Sequence, residues 1–156
     1  MSWSAGELDD LLAQDVDDVV DYARSVGRGR TAVLRDSLTR LETSTEPLDR
    51  VKVLLFIQTI LALAPDGTVA SSVAESAALE LATVVVSTSE PDELKRSALN
   101  ALALLFVKAK ELTASADSRM REAFTFARES RDPEIRDFAR RVSLANANAV
   151  VARRSA

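Results

Sequence analysis

The side chains that could carry out chemistry in this chain are carboxylates, hydroxyls and bases, because it contains no histidine and no cysteine. That composition excludes Ser-His-Asp triads, histidine-ligated zinc and thiolate metal sites. Its acidic pairs are neighbours in sequence: Asp9/Asp10, Asp17/Asp18 and Asp92/Glu93. On a helix, neighbours diverge by about 100° and do not share a site. We therefore expect no enzyme activity, no catalytic residues, no metal and no cofactor.

Overall composition is that of an ordinary globular protein, with 47% hydrophobic and 28% charged residues over 156 positions. This length predicts a single domain, residues 1–156. The longest apolar stretch, 51–64, contains Lys52 and Gln58 and is too short to span a bilayer. The first residues carry no basic start and no apolar run, unlike a signal peptide. We expect a cytoplasmic protein that makes no membrane contact.

A short polar stretch ending in proline recurs three times. Residues 44–47 read Ser-Thr-Glu-Pro, 88–91 read Thr-Ser-Glu-Pro and 130–133 read Ser-Arg-Asp-Pro, which places the prolines 44 and 42 residues apart. Proline suits the first position of a helix, where its missing N–H has no partner to lose. Small polar or acidic residues before it can cap the free amides. The pattern predicts helices over 47–63, 91–110 and 133–150.

A further helix is predicted before each of these, over 31–43, 68–87 and 116–130. The chain begins with an amphipathic segment, 5–26, in which Leu8, Leu12, Val16 and Val19 recur at helical spacing. The predicted organisation is an N-terminal capping helix (1–27), three helical hairpins (28–66, 67–112 and 113–151) and a frayed tail (152–156). Aromatic residues in these helices are interpreted as core, with Phe126 the most exposed.

A repeat of about 42 residues is typical of stacked helical hairpins, since one hairpin cannot bury its apolar face alone. The predicted fold is all-α, with about seven helices in antiparallel hairpins stacked as a short right-handed α-solenoid. An irregular helical bundle is the alternative. The stretch Asp132-Pro133-Glu134-Ile135-Arg136-Asp137-Phe138-Ala139 resembles the start of the second helix in HEAT/armadillo-like repeats, and weaker matches begin at Glu90 and Glu46. This resemblance covers about residues 31–150 and implies a non-enzymatic binding surface.

Three bases, Lys52, Lys95 and Arg136, occupy equivalent positions in the proline-started helices. In the stacked arrangement they form a column, which either bonds to acids of neighbouring repeats or belongs to a partner-binding stripe. The full candidate stripe is Arg50, Lys52, Lys95, Arg96, Arg136, Arg140 and Arg141. Its expected partner is another protein.

Charge is uneven along the chain: residues 1–50 carry a net charge of −5 and residues 117–156 carry +3. Self-association is therefore a further option, because an acidic start could meet a basic end in a neighbouring copy.

The predicted function is a protein-interaction or adaptor module. The alternative is a structural assembly subunit, such as a virus head–tail adaptor or another ring-forming helical protein. Binding of a nucleic-acid backbone is a weaker alternative, because the chain is acidic and has seven aromatic residues.

Overall fold

The computed structural model describes residues 5–26 and 31–142, and this part of the chain is built from eight helices and contains no strand. The predicted all-α class is therefore confirmed. The helices are α1 (Ala5–Leu12), α2 (Val16–Val26), α3 (Thr31–Thr43), α4 (Pro47–Leu63), α5 (Ser71–Val86), α6 (Asp92–Lys108), α7 (Ala114–Arg128) and α8 (133–142). The predicted end of the last helix, the predicted tail 152–156 and the connector 27–30 lie outside the described residues.

The predicted single leading helix over 5–26 is wrong, because the chain turns at 13–15 and forms two helices, α1 and α2. Gln14 N–H bonds the carbonyl of Leu11 at 3.0 Å, which tightens the last turn of α1. Asp15 then accepts the first backbone bond of α2, from Val19, at 3.1 Å. The apolar spacing continues across this break, so periodicity alone could not reveal it. The described helices therefore number eight, one more than expected.

The three prolines mark helix starts as predicted, but their caps differ. Pro47 is the first residue of α4, Pro91 directly precedes α6, and Pro133 begins α8. Only before Pro133 does an acidic side chain cap the helix: Asp132 Oδ1 accepts bonds from the amides of residues 134 and 135 at 2.9 and 3.1 Å. No side-chain cap forms at α4 or α6. The capping role assigned to the acids before Pro47 and Pro91 is therefore wrong.

The helices contact one another in two rows. Helices α2, α4 and α6 pack in chain order, and so do α3, α5 and α7. Contacts between α3 and α4, and between α5 and α6, join the rows. α1 packs against α2, α3 and α4, so the acidic N-terminal pair of helices lies at one end of this arrangement.

One continuous hydrophobic core runs between these rows. Its largest fully buried side chains include Phe56 and Ile57 of α4, Leu81 of α5, and Leu99 and Leu102 of α6. The central helix α5 contributes small side chains, with Ala74, Ala77, Ala78 and Ala82 all buried. Small residues let backbones approach closely, which suits a helix packed against α3, α6 and α7 at once.

The connections at the ends of α4 and α6 are tied together by backbone bonds. Val69 N–H bonds the carbonyl of Lys108 at 2.9 Å, and Lys110 N–H bonds the carbonyl of Val69 at 2.8 Å. These bonds form an isolated parallel bridge between Val69 and Ala109. An ion pair of 3.0 Å between Lys108 and Asp66 adds to it. Two loops far apart in sequence are thus held in a fixed relative position.

Candidate partner-binding surface

The seven cations predicted to form a stripe lie on three helices, but most have partners within the protein. Arg50 and Lys52 are on α4, Lys95 and Arg96 are at the start of α6, and Arg136, Arg140 and Arg141 are on α8. Their surroundings differ so much that they do not form one uniform exposed row.

Lys52 is buried, with 8% of its surface exposed. Its ammonium donates a hydrogen bond of 2.9 Å to the carbonyl oxygen of Leu12, at the C-terminal end of α1. A cation is stabilised at this end of a helix, where carbonyls lack partners. Lys52 therefore joins α4 to α1 and is not available to a bound partner.

Arg50 makes a second set of internal bonds. Its guanidinium donates to the carbonyls of Leu41 and Ser44 at 2.5 and 3.0 Å, and to the carboxylate of Glu90 at 2.7 Å. The first two bonds secure the α3–α4 turn, and the third reaches the turn before α6. Glu90 is thus an ion-pair partner across hairpins, which explains why it does not cap its own helix.

The bases on α6 point toward the last hairpin. Lys95 places its ammonium 5.7 Å from the centre of the Phe126 ring on α7, within the range of a cation–π contact. Arg96 forms an ion pair with Glu134 near the start of α8. Phe126 is 42% exposed, which agrees with the expectation that it is the most exposed aromatic residue in the helices.

The three arginines of α8 differ in exposure, and Arg136 is only partly exposed. Arg136 lies 3.8 Å from the carboxylate of its neighbour Asp137. Arg140 and Arg141 are exposed and have no ion pair or hydrogen bond to any other residue that the structure describes. Of the predicted stripe, these two are the cations open to an external anion.

An open groove of about 880 Å³ lies between α6 and α8. Its apolar lining is Leu99, Ile135 and Phe138, of which only Phe138 is partly exposed, and Asn100 adds an amide. The charged residues along it are Arg96, Glu134, Asp137, Arg140 and Arg141. Sequence reasoning missed Asn100 and interpreted Phe138 as core; Phe138 is partly buried and packs against the core from the groove. Only the pairing of α6 with α8, which is a long-range contact, creates this site.

Two acidic groups have shifted pKa values for identifiable reasons. Burial would raise the pKa of Asp49, but hydrogen bonds from Arg40 and Ser44 outweigh it and hold the pKa below its usual value. Arg40 bonds Asp49 at 2.9 Å and Asp9 of α1 at 2.5 Å, so it links three helices. Burial, followed by repulsion from Glu42, raises the pKa of Glu80, against a smaller opposing effect of Arg50.

The described residues contain no group of three or more acidic side chains placed to hold a metal ion. Within 5–26 and 31–142, every helix falls short of the length and apolar character that crossing a bilayer would require.

Comparison of the chain with protein-family models, with curated proteins and with solved structures found no match in any of the three. Its function must therefore be argued from its own surface.

Proposed function

We propose that this protein is a non-enzymatic protein-interaction module built from stacked helical hairpins of the HEAT/armadillo kind. The observation that carries the proposal is the open groove between α6 and α8, which combines apolar side chains with charged and amide groups. Such a mixture is typical of sites that bind a partner through an apolar centre and a polar rim.

The hairpin stack is supported by ion pairs between successive proline-marked helix starts. Arg50 in the first turn of α4 bonds Glu90 beside Pro91, and Arg96 in α6 bonds Glu134 beside Pro133. These pairs bring the starts of α4, α6 and α8 close together in chain order. The contacts within each row of helices fit the same arrangement. A rigid stack of this kind presents its groove preformed, which limits the entropy cost of binding.

The proposal is tested by capturing partners with groove variants. In Asn100→Trp, an indole partly fills the groove between α6 and α8. The control, Ser72→Trp, places the same side chain on the exposed face of α5, where the Ser72 hydroxyl has no hydrogen bond to any described residue. We expect wild type and Ser72→Trp to retain the same proteins from the source cell, and Asn100→Trp to lose them. Equal retention by all three would contradict a role for the groove.

A structural assembly subunit is the second candidate, favoured by the charge of the N-terminal helices. Residues 5–26 contain seven acidic side chains and one arginine, and their helices lie at the opposite end of the packing order from α7. Light scattering coupled to size-exclusion chromatography tests head-to-tail association. Oligomers that dissociate as salt rises are expected under this candidate, and a monomer at micromolar concentration in low salt would reject it.

A further inference from the structure

We infer that the groove between α6 and α8 binds an acidic segment of a partner protein, with an apolar side chain seated in the groove and carboxylates paired with Arg140 and Arg141. This inference rests on the proposed function and specifies the chemistry of the partner. It follows from how the charges along the groove are distributed.

The charges along the groove are not balanced internally. Each of its two carboxylates already faces an arginine: Glu134 pairs with Arg96, and Asp137 lies 3.8 Å from Arg136. Arg140 and Arg141 border the groove, and neither has a partner among the described residues. Within the described part of the chain, the groove therefore offers two guanidinium groups without an acidic partner, and guanidinium favours carboxylates through planar, bidentate hydrogen bonds.

The apolar part of the groove sets the second requirement. Phe138 is partly exposed beside Ile135, and Leu99 lies beneath them in the core. An apolar side chain lodged here would be removed from water, and Asn100 could bond to the backbone that carries it. Contacts of this kind provide most of the affinity, whereas exposed charges at the rim select the partner. A segment that places carboxylates beside a leucine or phenylalanine meets both requirements.

A nucleic-acid backbone is a poorer match. Arg50, Lys52 and Arg96 are committed to internal bonds, so few cations remain to follow a chain of phosphates. The one aromatic ring in the groove is itself partly buried against the core. Single-strand binding depends on a continuous basic groove and exposed stacking rings.

Fluorescence anisotropy with designed peptides tests the inference. The probe is a fluorescein-labelled 12-residue peptide in which glutamates flank a leucine and a phenylalanine. Two further probes are the same peptide with glutamine in place of glutamate, and a labelled 12-nucleotide oligothymidylate. We expect the acidic peptide to bind more tightly than either of the other probes, and we expect its affinity to fall as the salt concentration rises.

Charge variants then locate the binding. The double variant Arg140→Gln/Arg141→Gln should lower the affinity for the acidic peptide about fivefold, as expected for the loss of two exposed ion pairs. Arg119→Gln/Arg131→Gln is the matched control, because it removes two exposed arginines that have no described partner and lie outside the groove. Equal weakening by both variants would mean that only net charge matters and would overturn the inference.

The remaining outcomes separate this inference from the proposed function. Failure of the acidic peptide to bind, or tighter binding of the oligothymidylate, overturns the acidic-segment inference. If Asn100→Trp still loses captured proteins in that case, the interaction module stands and its partner has a different chemistry. If Asn100→Trp loses nothing, the proposed function fails as well.

Discussion

The ammonium of Lys52 lies 2.9 Å from the carbonyl oxygen of Leu12, forty residues earlier in the chain. This single bond joins α4 to the end of α1 and places a buried cation where helix carbonyls lack partners. The base predicted to line a binding surface thus has a structural role at the point where the leading segment divides into two helices.

Replacing Lys52 should destabilise the fold. In Lys52→Met the apolar length of the side chain is kept, but the Leu12 carbonyl loses its buried donor, which typically costs about 1–3 kcal/mol. Urea denaturation followed by circular dichroism measures the change. Lys110→Met is the control, because Lys110 is exposed and its side chain has no partner in the described part of the chain. Identical midpoints for the two variants would refute the structural role of Lys52.

The ion pair between Arg50 and Glu90 should stabilise the contact between hairpins. A double-mutant cycle with Arg50→Met and Glu90→Gln isolates the pair from the carbonyl bonds that Arg50 also makes. We expect a coupling energy of about 1 kcal/mol, since both side chains are largely buried. The exposed pair Asp117–Arg121, four residues apart on α7, should give about 0.3–0.5 kcal/mol. A coupling for Arg50–Glu90 no larger than this would show that the cross-hairpin pair contributes little.

Gly67 should be required for its backbone conformation and not for space. Its φ is +71°, a left-handed value, while an added Cβ would meet no atom within 4 Å. Gly67→Ala should therefore cost about 1–2 kcal/mol and lower the melting temperature by a few degrees. Gly67→Asn should lose less, because asparagine tolerates this region better. A Gly67→Ala variant with the same melting temperature as wild type would contradict this explanation.

Glu80 should make stability depend on pH. Its pKa is raised, first by burial and then by Glu42, so its charged form is disfavoured in the folded protein. The cost of ionising Glu80 in the folded protein is absent below its ordinary pKa of 4.5, where the side chain is protonated in both states. The cost appears as the pH rises through the higher pKa of the folded state. Glu80→Gln should therefore be more stable than wild type at pH 7 and lose this advantage below pH 4.5. Urea midpoints of wild type and Glu80→Gln, measured across this pH range, test the prediction. Glu111→Gln, at an exposed position, is the control. A difference between Glu80→Gln and wild type that stays the same at every pH would contradict it.

Local signals were sufficient to predict much of the helical structure. The bounds of α3 and α4 agree with the sequence prediction residue for residue, because apolar periodicity and Pro47 act within a few residues. Predictions for α5, α6 and α7 differ from the structure by one to three residues at their ends, where short-range signals are weakest. The sequence also predicted a stripe of seven cations, but not what each of them contacts.

The candidate site required tertiary information. Glu90 looks like a cap in sequence, yet it pairs with Arg50, forty residues earlier, and Glu134 pairs with Arg96 of another helix. Nothing local distinguishes Arg140 and Arg141, which are unpaired in the described structure, from Arg50, which is held by three partners.

The sequence by itself determined an all-helical class, the three helix starts marked by proline, and the absence of histidine and cysteine chemistry. These depend on composition and on interactions a few residues apart. Tertiary structure alone decided where the leading helix divides, which cations are neutralised, and that α6 and α8 enclose a groove. Those outcomes depend on side chains that are distant in sequence and meet only when the helices pack.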